Sequence, residues 1–192
     1  MKSVINLSVA LFLIALVSCK PSPQKASEYF DEISKPLELV LNKEDALIQI
    51  INAQMKNDST THDTLNKSDT ATKTLVSALD MAFANFSLQI ATSLNQMETI
   101  GKFDNSLTLR DAAMGLLKEY EAVSSTEFPA LIEIVKIPVI DYTNEDDARF
   151  FTLSDSIDSK LQRKIDVYLR EVKLFAKEYN FQLEKDTLKS EL

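Results

Sequence analysis

The chain has one cysteine, one histidine, two glycines and no tryptophan. A single cysteine excludes an intramolecular disulfide framework. One histidine and one cysteine exclude zinc sites built from Cys and His, and a di-iron site made from Glu-x-x-His pairs. Two glycines argue against an architecture dominated by β-turns and leave no glycine-rich phosphate loop. Positive charge is also scarce, with 21 Lys and Arg against 29 Asp and Glu and a net charge of -8. An acidic chain is a poor partner for a phosphate backbone, so no nucleic-acid partner is expected. No cofactor is expected.

What is present begins at the N-terminus. Lys2 supplies a positive start, and Val4 to Val17 is an apolar run interrupted by Asn6 and Ser8. The run falls short of the ~20 residues that span a bilayer and reads as the core of a secretory signal. Leu16-Val17-Ser18-Cys19 follows. This stretch resembles a lipobox, the cleavage site of bacterial lipoproteins. The resemblance implies removal of residues 1–18 and lipidation of Cys19 with diacylglycerol and an N-acyl chain such as palmitate. The only cysteine of the chain stands at the one position a lipobox requires. Cleavage removes Lys2 and no acid, so the mature chain is more acidic by one charge. Several acyl chains give stable anchoring where one is marginal. The expected location is the bacterial cell envelope, at the outer membrane, on its periplasmic or surface side. The membrane is then a partner through the lipid. Residues 19–26, with Pro21 and Pro23, read as an extended tether that does not pack.

Beyond the tether, apolar residues recur at helical spacing. The first stripe is Tyr29, Ile33, Leu37, Val40/Leu41, Leu47/Ile48, Ile51 and Met55, with Pro36 inside it as a point of kink or break. Asn57 to Asp69 is polar apart from Leu65 and reads as a loop. The sole histidine, His62, falls there with no second ligand type beside it and reads as solvated. The second stripe, within about Thr70 to Ile100, is Leu75, Leu79, Ala82/Phe83, Phe86, Ile90, Leu94 and Met97. Its other face is Ser, Thr, Asn and Gln, which points to partial burial. Gly101 follows where a helix-terminating glycine belongs.

The third segment opens on Thr108-Leu109-Arg110-Asp111, a capping-box pattern, and ends at Pro138. Gly115 inside it predicts close approach of a neighbouring helix. Ser124 to Pro129 carries a second capping signal, where a kink or a new helix is expected. The fourth segment starts after Thr143, with Glu145, Asp146 and Asp147 suited to a helix N-terminus. Its stripe runs from Phe150 to Tyr179. Residues 184–192 form a charged tail expected to fray. Four such segments predict an all-α fold, an antiparallel four-helix bundle over residues 27–183, with Pro36 and Pro129 as possible kinks.

Leu109-Arg110-Asp111-Ala112-Ala113, Leu116 to Tyr120, Glu127, Phe175 to Phe181 and Ala26 to Tyr29 resemble a family of small bacterial surface lipoproteins of unknown function. The resemblance implies a secreted, lipid-anchored helical domain and carries no activity.

Candidate chemistry is thin. Asp141 with Glu145, Asp146 and Asp147 offers oxygen ligands, but Ca²⁺ takes six to eight from a loop with a turning glycine, and helix capping explains the cluster. No metal site is expected. Serine nucleophiles lack a helical His base, so the chain does not read as an enzyme; a carboxylate-based hydrolase would need two acids converging in a cleft. Tyr29, Tyr120, Tyr168 and Tyr179 sit on or beside the stripes, where they line a ligand groove or fill the core with the hydroxyl at the rim. Arg110 and Glu127 pair or cap. Two functions fit: a binding or structural module that contacts a protein or the cell wall, or a carrier of a small apolar ligand in an interhelical groove. A carrier needs an internal apolar cavity of about 300 Å³ or more, and a module needs an exposed apolar patch.

Overall fold

The computed structural model describes residues 21–59, 69–104 and 108–183. The signal segment, Cys19, His62 and the 184–192 tail lie outside the described residues, as does most of the loop between the first two segments. Five helices account for the described fold: α1 (Pro23–Ser59), α2 (Asp69–Thr99), α3 (Thr108–Ser125), α4 (Glu127–Val135) and α5 (Asn144–Tyr179). The protein is all-α. None of these helices is long and apolar enough to cross a membrane.

The four expected rods are present, the third divided between α3 and α4. Cross-contacts fix their directions. Ser93, late in α2, meets Pro36, early in α1. Arg110, at the start of α3, meets Met97 near the end of α2. Ser34 of α1 meets Tyr168 of α5. Neighbouring rods therefore run antiparallel. The core draws mainly on the predicted stripes: Ile33, Leu37, Val40 and Leu47 from α1, Leu79, Phe86, Ile90 and Met97 from α2, Leu117 and Tyr120 from α3, Phe128 and Leu131 from α4, and Ile157, Leu161 and Val172 from α5. Ala26, Phe30 and Ile132 join it from outside the stripes, while Ile48 of the first stripe is exposed. Phe86 sits at its centre, edge-on to Tyr120 and Phe128 with ring centroids 6.1 and 5.2 Å away.

Several expectations are corrected. The tether is shorter than residues 19–26, because α1 begins at Pro23 and Ala26 is fully buried. Ser22 makes this start possible: its Oγ accepts from the Lys25 N–H at 3.3 Å and its carbonyl from the Ala26 N–H at 3.0 Å. Pro23 then occupies the first helical position, where its missing donor is one that would be unpaired anyway. Pro36 does not break α1. The carbonyl it leaves unpaired belongs to Glu32, which is exposed and can take water. The third rod breaks at Thr126, which separates α3 from α4. Pro129 falls in the first turn of α4, where no intrahelical donor is needed. The Thr126 hydroxyl does not cap that helix; it donates back to the Ala122 carbonyl at 2.8 Å.

Neither glycine has its expected role. Gly101 does not adopt positive φ, and a Cβ there would meet nothing within 4 Å. The end of α2 is instead capped from outside, where Arg110 donates from Nε and Nη2 to the Met97 carbonyl at 3.2 and 3.1 Å, and from Nη2 to the Glu98 carbonyl at 3.2 Å. A guanidinium on the last carbonyls also faces the negative end of the helix dipole. A Cβ on Gly115 would likewise meet nothing within 4 Å, so no helix approaches it closely. The left-handed cap is used at Asn180, with φ 53°, at the end of α5. The start of α5 carries the capping box: Thr143 Oγ1 accepts from the Asp146 N–H at 3.2 Å, and the Asp146 carboxylate accepts from the Thr143 N–H at 3.1 Å. On α2, the polar face buries Ser93 and leaves Asn85, Thr92, Asn95 and Gln96 exposed.

Candidate functional site

The first and last rods are neighbours, and the seam between them is packed unequally. Where α1 begins and α5 ends, aromatic rings close it. Tyr29 stacks on Phe103 at 4.8 Å, Phe103 meets Phe175 and Tyr179 at 5.4 and 5.0 Å, and Phe181 lies 5.7 Å from Phe30. Tyr29 Oη donates to the Gly101 carbonyl at 3.1 Å, and Tyr179 Oη donates to Asp104. One turn further along α1, the Ser34 and Tyr168 hydroxyls share a hydrogen bond of 3.0 Å.

Beyond that bond the seam opens. A groove of about 940 Å³ runs between Leu41–Ile48 of α1 and Ser156–Asp166 of α5, with Tyr120 in its floor. A second hollow of about 300 Å³ adjoins it, lined by Ile48, Ile51, Phe128, Leu131, Phe150 and Ile157. Glu44, Ile48 and Asp158 line both. Ile48 is 41% exposed, which gives the rim an apolar edge. From Phe150 to Asp166 the opening extends roughly 24 Å along α5 at 1.5 Å per residue.

Glu44 is the chemically distinctive residue. Its helical position falls four residues after Val40 and three before Leu47, on the apolar stripe itself. The carboxyl end is therefore turned inward, where Tyr120 Oη donates to Oε2 at 2.7 Å. Burial pushes Glu44 up to about 7; Asp45 and Asp158 add to the rise, and the Tyr120 hydrogen bond opposes it. Burial, followed by the adjacent Glu44, likewise raises the Tyr120 phenol above its ordinary value. A carboxyl poised near neutrality in a cleft marks a functional-site candidate. One turn beyond Ile51 on the same face, Gln54 is buried and its Oε1 has no hydrogen-bond partner among the described residues.

Of the four tyrosines, Tyr120 alone lines the groove. Tyr29 and Tyr179 belong to the aromatic closure, and Tyr168 bridges α5 to α1. Leu16, Val17, Ser18 and Cys19 lie outside the described residues. Glu127 accepts from Lys160 and from Thr126, while Arg110 caps α2. Asp146 serves the α5 cap and pairs with Arg149 at 3.5 Å. Among the described residues no group of three or more His, Cys, Asp or Glu is placed to hold a metal ion. Glu44 was missed in the sequence because Lys43-Glu44-Asp45 reads as a solvated charged run; the signal available was its 4-and-3 spacing from Val40 and Leu47.

No known protein family, no curated protein and no solved structure matches the chain.

Proposed function

We propose that the chain is a lipid-anchored binding module of the bacterial cell envelope, held at the outer membrane by acyl chains on Cys19. It presents the α1–α5 groove to another protein or to the cell wall. The observation that carries this reading is the open seam itself. Two adjoining hollows combine apolar walls with half-buried and rim carboxyl groups, while the opposite end of the same seam is closed. The alternative, a carrier of a small apolar ligand, has volume enough in the groove, but such a ligand needs an enclosed apolar cavity. Both hollows open to solvent and carry Glu44 and Asp158. Catalysis is not part of the first reading. A carboxylate-based hydrolase is a second one, favoured by the presence of Glu44 and Asp158 in the same cleft.

The anchor is tested by Cys19→Ala and cell fractionation: the variant leaves the membrane pellet if Cys19 carries the lipid. The module is tested by photo-crosslinking in cells from Ile48, in the groove, and from Leu88, exposed on α2. A discrete adduct from Ile48 and none from Leu88 supports it. Equal or absent adducts overturn it. A co-purifying apolar molecule in native mass spectra turns the case to the carrier, and glycan cleavage lost in Glu44→Gln turns it to the hydrolase.

A further inference from the structure

We propose that the α1–α5 groove docks a basic amphipathic segment of a partner protein, with one cationic side chain meeting Glu44 and apolar side chains filling the hollow behind Ile48. This rests on the binding-module reading. Shape argues for a segment of chain. The opening is a trough several helical turns long, whereas pockets for small molecules enclose most of the ligand surface. A helix laid in an apolar groove is a recurring mode of recognition.

Charge fixes the sign of the partner. In the smaller hollow Glu44 and Asp158 are the charged lining residues, and both are acids. The larger groove adds Asp45 and Asp166 against Lys160 and Arg163. Lys160 is already paired with Glu127, which lines neither hollow. Asp166 accepts a hydrogen bond from Gln162 at 2.8 Å, which leaves its charge in place. Tyr120 from α3, Asp45 from its own helix and Asp158 from α5 act on Glu44 directly, Lys160, Arg163 and Asp166 of α5 line the same groove, and α4 contributes Phe128 and Leu131. The surplus is negative. An acidic partner would add like charge to a partly buried carboxyl; a basic one restores the environment that ionisation requires. Docking a cation beside Glu44 therefore releases its proton near neutral pH, and affinity rises as pH increases through that range.

The experiment uses the purified full chain and two synthetic helical peptides of about 18 residues, enough to run the groove at 1.5 Å per residue. One is leucine with lysine in amphipathic register, the other leucine with glutamate. Fluorescence anisotropy is read on both sides of neutrality. The lysine peptide is expected to bind and the glutamate peptide not. Its affinity should rise about tenfold from about pH 6 to about pH 8. Glu44→Gln should weaken binding about tenfold and abolish that pH dependence. Asp31→Asn, on the exposed face of α1, should leave both unchanged, which separates the groove from general attraction to an acidic chain. Circular dichroism checks each variant, and if Glu44→Gln unfolds, the exposed Asp158→Asn, which removes a negative charge from the same hollow, should still weaken lysine-peptide binding. Equal binding of both peptides, no binding of either, or lysine-peptide binding indifferent to Glu44 and Asp158 overturns the inference. An Ile48 adduct in cells alongside such a result overturns the basic partner alone and leaves the groove as the binding surface.

Discussion

At the end of the bundle where α1 begins, α1 meets α5 through packed aromatic rings; along Leu41–Asn52 the same two helices face each other across a gap open to solvent. Both regions have apolar residues at helical spacing, so periodicity alone does not distinguish them. Side-chain size and the third rod do. Phe103, Phe175 and Tyr179 are large enough to reach across, and Phe103 comes from the α2–α3 connection to fill the space between rods. Along the larger groove α5 offers Leu161 and Ile165, which are shorter, and α1 places Glu44 on the facing stripe. A carboxyl there resists closure, because full burial of its charge costs more than the apolar contacts would return.

The largest effect tests that contrast directly. Phe175→Ala, which removes a buried ring in contact with Tyr29, Phe103, Tyr179 and Phe181, is expected to cost about 3–4 kcal/mol in urea unfolding. Ile165→Ala, half-buried in the groove wall, should cost about 1 kcal/mol. Equal losses would mean that the two regions contribute alike to stability, and the comparison would fail.

Glu44 gives the next effect, and its sign follows from linkage. The folded-state value is raised from 4.5 to about 7, so the folded protein holds this proton over a range where the unfolded chain has released it. The stability this contributes is fully present below about pH 4.5 and is lost as pH rises through about 7. Glu44→Gln, which keeps the shape and cannot ionise, should flatten that dependence and raise stability at alkaline pH by about 1–3 kcal/mol. Urea midpoints at pH values on either side of neutrality measure it. An unchanged slope would place the Glu44 carboxyl in water, and the open region would lose its inward-facing acid.

How much of this was legible in sequence depends on the distance over which each interaction acts. The helices and the Thr143 N-cap with its following acids were readable because their determinants lie within a few residues. The start of α1 was misplaced because two prolines suggested an extended tether, although Ser22-Pro23 is also a cap followed by a first-turn proline. For Arg110 the sequence left pairing and capping open, since its place on the Met97 and Glu98 carbonyls depends on how α3 turns back against α2. At the candidate site, Tyr120 was legible as a groove or core tyrosine. Its partner was not, because the meeting of Glu44 and Tyr120 is tertiary and the charged neighbours of Glu44 masked its place on the stripe.

The smallest effect concerns the helix that joins the two regions. α3 runs from Thr108, beside Phe175, to Tyr120 in the groove floor, and Gly115 lies between them. If packing were as close there as the rings suggest at one end, a side chain would not fit. Instead a Cβ at Gly115 meets nothing within 4 Å. Glycine in a helix interior loses more conformational freedom on folding than alanine, and no contact compensates for that here. Gly115→Ala should therefore stabilise the protein by about 0.5–1 kcal/mol, read as a higher urea midpoint with an unchanged slope. A loss of stability would show that tight packing reaches along α3 to this point, moving the boundary between the closed and open regions towards Tyr120.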